Sequence, residues 1–100
     1  MSELNFDELE NCRSQIDVID RRLLDILNER TAIVERIGRI KQEHKLGVYE
    51  PKREDQVYAN ILAHNRGPLP ADAVKRIFER IIDEMRTVQR NNMQGGEGKC

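Results

Sequence analysis

Tryptophan is absent from this 100-residue chain, aromatic residues make up 4% of it, and it carries three prolines, two cysteines and two histidines. Each shortage closes a route. With so few rings, the core of the one domain that fits this length must be aliphatic and modest. Cys12 and Cys100, with His44 and His64, offer neither a disulfide framework nor a credible set of metal ligands, and Cys12 reads as a small core residue. Serine occurs only at Ser2 and Ser14 and neither histidine has an evident partner, so a serine-nucleophile triad is not expected. No signal peptide is expected, and the sequence shows no apolar run long enough to cross a bilayer, no strand-like alternation, no internal repeat and no glycine-rich phosphate loop. Seventeen Lys and Arg against eighteen Asp and Glu leave a net charge of −1, which disfavours a nucleic-acid-binding surface. A cytoplasmic, all-helical protein without a membrane or nucleic-acid partner is the expectation.

What is present is a long helical pattern. Asn5 with Glu8 forms a capping signature, no proline intervenes before Pro51, and the helix is expected from Asn5 to about Lys45. Leu9, Cys12, Ile16, Ile19, Leu23, Ile26, Arg30, Ile33, Ile37 and Ile40 recur in steps of three and four, so that one residue, Arg30, interrupts an otherwise apolar seam. A guanidinium on a packing seam needs an anion, which is either a ligand or a carboxylate of another helix. Lys41 follows about 16 Å along the helix and about 20° around it, and Gly38 lies between them, for close packing or to leave room. A helix of roughly 40 residues spans about 60 Å, more than one small chain can cover, which predicts an intertwined homodimer.

After Gly47, Pro51 opens a short second helix to about Asn65, carried by Val57, Tyr58, Ile61 and Leu62. Arg66, Gly67, Pro68, Leu69 and Pro70 break it. Val74, Ile77, Phe78, Ile81, Ile82, Met85 and Val88 then mark a third helix from about Ala71 to Asn91, with Gln89 at the edge of its apolar face. Residues 1–91 are expected to form the helical domain, and 92–100, with Gly95, Gly96 and Gly98, a disordered tail.

The ordered set Cys12-Arg13-Ser14-Gln15-Ile16-Asp17, Leu27-Asn28-Glu29-Arg30, Ile37-Gly38-Arg39-Ile40-Lys41, Glu50-Pro51-Lys52-Arg53-Glu54 and Phe78-Glu79-Arg80-Ile81-Ile82 with Gln89 resembles a chorismate mutase of the all-helical AroQ class. The resemblance covers about residues 7–90. It implies the pericyclic rearrangement of chorismate to prephenate in phenylalanine and tyrosine biosynthesis, without a cofactor. It also implies a homodimer with active sites shared between chains, and it leaves open fusion or association with another shikimate-pathway enzyme. Position by position, Arg13 and Arg30 match the residues that bind the substrate carboxylates. Lys41 and Gln89 match the pair that donates to the ether oxygen, and Glu54 matches the acceptor for the ring hydroxyl. Arg53 matches a further active-site cation, and Glu50 lies in a loop bordering the hydroxyl. Met85 departs from the pattern, since many members place a small or hydroxyl residue there against a carboxylate. Such a site would act by proximity and electrostatic preorganisation. The competing expectations are an isochorismate pyruvate lyase of the same fold and a non-catalytic helical dimerisation module.

Overall fold

The computed structural model describes residues 6–98, with side chains described through Met93. Three helices, α1 (Phe6–Glu43), α2 (Pro51–His64) and α3 (Ala71–Gly98), make up the fold, with no strand among the described residues. The Asn5 cap lies outside the described residues. None of the helices is long and apolar enough to cross a membrane, among the described residues.

The chain divides into two compact units, Met1–Ala32 and Ile33–Cys100. In the first, α1 starts with Asp7 and Glu8, whose charges suit the positive end of a helix dipole. Its seam residues are open: Ile16, Ile19, Leu23 and Ile26 are each half or more exposed, and Cys12, expected in a core, is exposed with them.

The second unit holds the last turns of α1, with α2 and α3. Here the buried face of α1 is Val34, Gly38 and Lys41, while the seam residues Ile33, Ile37 and Ile40 remain exposed. The face that α1 packs inside the unit is therefore displaced by one residue, about 100° around the helix, from the apolar seam. Val74 and Ile82 of α3 are buried, and α2 contributes the half-buried Val57, Tyr58 and Ile61.

Helix α1 ends by a pair of interlocked backbone bonds, Leu46 N–H to Lys41 O at 2.7 Å and Lys45 N–H to Gln42 O at 3.2 Å, with Lys45 in the left-handed region at φ 58°. This is the geometry that glycine usually serves at a helix C-terminus. Gly47 stands two residues too late to serve it. Helix α2 begins at Pro51, whose missing N–H costs nothing in a first turn, after an N-cap Glu50 that makes no side-chain cap. Between α2 and α3 the Asn65 side chain bridges the bend, accepting from Gly67 N–H at 3.0 Å and donating to Leu69 O at 2.8 Å.

The third helix runs beyond Asn91, where the apolar periodicity stops. A helix already nucleated extends by one backbone bond per residue, and Gln42 Nε2 donates to Met93 O at 3.1 Å. The end of the helix thus has a tertiary support that no periodicity announces. The last two residues, Lys99 and Cys100, lie outside the described residues.

Candidate active site

The 7% exposure of Lys41 and of Gln89 makes them the two buried polar side chains among the described residues. Lys41 comes from the last turn of α1 and Gln89 from α3. Lys41 Nζ lies 2.7 Å from Glu50 Oε1, 3.0 Å from Gln89 Oε1 and 3.3 Å from Val48 O. Three acceptors match the three protons of an ammonium, which is how a buried lysine stays charged at tolerable cost. Because lysine can only donate, its contact also fixes the Gln89 amide: Oε1 faces Lys41, and Nε2 is left as the donor end. Two donors of different charge are thereby held side by side.

Gly38 makes this approach possible. A Cβ on Gly38 would fall 3.2 Å from Gln89 Cγ and 3.7 Å from Met93 Cγ, so a side chain there would require the Gln89 side chain to shift by a few tenths of an ångström. Close packing, one of the two roles expected for Gly38, brings Gln89 to Lys41. Glu50 explains its own poor cap: its carboxylate turns to the lysine in place of the α2 N-terminus.

A second ion pair joins α2 to α3. Glu54, one turn after Glu50 on α2, places Oε2 2.9 Å from Arg86 Nε, and Arg86 is one turn before Gln89 on α3. The contact is short, yet the N–H of the buried Nε is not aligned for a hydrogen bond. Arg86 Nη1 also lies 3.7 Å from Asp83 Oδ1. Beside them the Tyr58 hydroxyl is held above its ordinary pKa of 10.0, first by burial and then by the carboxylates of Glu79 and Glu54, with Arg86 opposing. Tyr58 therefore remains a protonated phenol at neutral pH. The Lys75 ammonium stands 5.7 Å from the centre of its ring.

The structure thus gathers Lys41, Glu50 and Gln89, and it places Glu54 of α2 against Arg86, one turn before Gln89 on α3. It adds Arg86, which the sequence reading passes over. The signal was available, since Arg86 follows the buried Ile82 by one turn and so falls on the packed face of α3, as Arg30 falls on the seam of α1. Arg53 is exposed, with Nη1 3.4 Å from Gln56 Oε1, and Met85 is half-buried. In the first unit Arg30 is half-buried, whereas Arg13 is exposed with Nη1 3.5 Å from Glu10 Oε2. Seventeen positions of helix separate these two arginines by about 25 Å along the axis, too far for both to hold one small molecule. Among the described residues, no three His, Cys, Asp or Glu side chains cluster to hold a metal ion.

Comparison with known proteins bears on the family and the fold. Residues 12–90 match the family described as chorismate mutase type II. The bifunctional chorismate mutase/prephenate dehydratase of Aquifex aeolicus is 38% identical over 80 residues, covering 76% of this chain and 22% of that protein. The 4-amino-4-deoxychorismate mutase of Streptomyces pristinaespiralis is 35% identical over 80 residues, covering 78% of this chain and 61% of that protein. The crystal structure of chorismate mutase from Helicobacter pylori in complex with prephenate superposes with a TM-score of 0.81 at 30% identity, covering 88% of this chain and 96% of the other. The chain spans about a fifth of the length of the bifunctional relative. On a match that takes in most of its length, and with the three-helix fold in agreement, the chain belongs to the chorismate mutase type II family.

Proposed function

We propose that this chain catalyses the rearrangement of chorismate to prephenate, as an isomerase that needs no covalent intermediate. The observation that carries the reading is the buried Lys41–Gln89 pair, an ammonium and an amide donor fixed side by side. In the reaction one carbon–oxygen bond breaks as a carbon–carbon bond forms, and negative charge grows on the ether oxygen. Donors placed beside that oxygen, Gln89 through its amide and Lys41 by exchanging one of its present acceptors for it, stabilise the transition state more than the ground state, and effects of this kind are worth on the order of 10²–10³ in rate per donor. The substrate is a dianion. Arg30 and Arg13 supply cations for its carboxylates, Glu54 accepts from its ring hydroxyl, and Glu50, Arg53 and Met85 border the same site.

The distance between Arg13 and Arg30 supports a reading in which one of them comes from a second copy of the chain. The open seam of Ile16, Ile19, Leu23 and Ile26 supports the same conclusion, because a stripe of exposed aliphatic side chains gains stability only when another surface covers it. An intertwined homodimer in the cytoplasm, with each site completed by Arg13 of the other copy, is the assembly proposed. Fusion or association with a further pathway enzyme is compatible with it.

The test is the ultraviolet absorbance of chorismate incubated with the purified chain, with the product identified as prephenate. Turnover of isochorismate with release of pyruvate, and none of chorismate, would replace this reading with a lyase. No turnover of either substrate and no binding of a cyclic dicarboxylate would leave a helical dimerisation module.

A further inference from the structure

We propose that Arg86 sets which substituent the site accepts on the substrate ring, favouring a hydroxyl over an ammonium by occupying Glu54. The inference rests on the reading of the site as a chorismate mutase. It concerns a residue to which neither the sequence pattern nor that reading gives a role.

Glu54 is the acidic group of the site that faces α3, and its Oε2 lies 2.9 Å from Arg86 Nε. A carboxylate has two oxygens, so with Oε2 beside the guanidinium, Oε1 remains to accept one more hydrogen bond. A neutral hydroxyl needs only that acceptor. An amine on a saturated ring carbon is protonated at neutral pH, as alkyl amines are, and requires a negative charge as well. Here the charge of Glu54 is already opposed by Arg86, and the other nearby pair, Lys41 with Glu50, is likewise matched. Placing an ammonium against Oε1 would set two cations on one carboxylate. Asp83, 3.7 Å from Arg86 Nη1, offsets little of this because its side chain is 57% exposed and screened by water.

The arrangement also accounts for an otherwise costly feature. Arg86 Nε is buried and its N–H is not aligned with a hydrogen-bond acceptor, a cost to the fold that a role in substrate selection would explain. Discrimination by an unfavourable charge placement against the wrong substrate is such a role. Because Arg86 acts through Glu54, it is a positioning residue.

The two substrates that separate the alternatives are chorismate and 4-amino-4-deoxychorismate, which differ by hydroxyl against amine at one ring carbon. Steady-state kcat/KM is to be measured for both with the wild-type chain, Arg86→Met, Arg86→Gln and Arg86→Lys. The wild type should prefer chorismate. Arg86→Met and Arg86→Gln should shift the ratio towards the amine on the order of tenfold or more, and Arg86→Lys, which keeps the charge, should retain most of the wild-type preference. Arg86→Gln serves if the methionine variant does not fold. Equal losses on both substrates, leaving the ratio unchanged, would overturn the inference and make Arg86 a structural or carboxylate-binding residue, with the chorismate mutase reading intact. A wild type that prefers the amine would overturn it as well. A wild type that turns over no chorismate would overturn both.

Discussion

In the unit Met1–Ala32, aliphatic side chains such as Leu23 are half exposed, whereas in the unit Ile33–Cys100 a lysine and a glutamine are buried more deeply than most of the aliphatic residues around them. Elementary physical chemistry opposes both arrangements. An exposed leucine forgoes about 1.5–3 kcal/mol of burial, and a buried ammonium must recover its hydration from protein acceptors. A second surface would make the first arrangement favourable, and the three acceptors around Lys41 make the second tolerable. Under the proposed function, the first unit serves association and the second chemistry.

The sharpest way to break this comparison is to exchange parts between chains. Lys41→Ala should lower activity by about 10³-fold or more while leaving helical content intact, and Arg13→Ala should be similarly inactive. Mixed after subunit exchange, the two variants should recover up to one working site per dimer, read as chorismate turnover that neither variant shows alone. Failure to recover would place Arg13 outside the site.

Next comes the seam itself. Leu23→Asp should weaken self-association by about 100-fold or more, since the loss is repeated in both copies, and sedimentation at a series of concentrations would read it. Unchanged association would remove the first half of the comparison.

Gln89→Glu tests the second half more finely, because the two side chains are nearly the same shape but only the protonated acid donates. Burial raises the pKa of the introduced carboxyl and Lys41 lowers it. Protonated below that pKa, the variant should be most active at acidic pH, and as pH rises through the pKa it should lose on the order of 100-fold. A pH–rate profile parallel to that of the parent would show that Gln89 does not face the breaking bond.

The smallest expected effect leaves chemistry aside. Lys45 holds a left-handed conformation at φ 58°, so Lys45→Gly should stabilise the chain by about 1 kcal/mol in denaturant titration without altering activity.

Much of the architecture was legible from spacing. Arg30 on the seam, the glycine beside Lys41, and Pro51 at the head of α2 all announce themselves, because helical period and backbone chemistry are local properties. Lys41 and Gln89 were legible as candidates from an ordered resemblance, but their contact joins two distant segments, with Gly38 leaving room for the close approach of Gln89. What local pattern could not supply is orientation. The exposed seam and the packed face of α1 differ by one residue, and only tertiary structure shows that Val34, Gly38 and Lys41 face inward. Arg86 follows Ile82 by one turn on the apolar face, but among Arg80, Asp83, Glu84 and Arg90 it is easily read as one more solvated charge on a helix. Lys45 was hidden because the residue type usual at such a helix end stands instead at Gly47.

The lysine at the end of α1 also fastens the connection to α2, holding Val48 through its carbonyl and Glu50 through its carboxylate. All three of its protons are then engaged, one of them by Gln89. A further oxygen can be served only if one holder lets go, and Glu50, with half its side chain in solvent, is the one that water can take over most easily. If Lys41 serves the substrate as proposed, loop and ligand compete for a single ammonium. Amide exchange across residues 46–50 should quicken when the site fills, so that the backbone beside the pocket registers occupancy before any product forms.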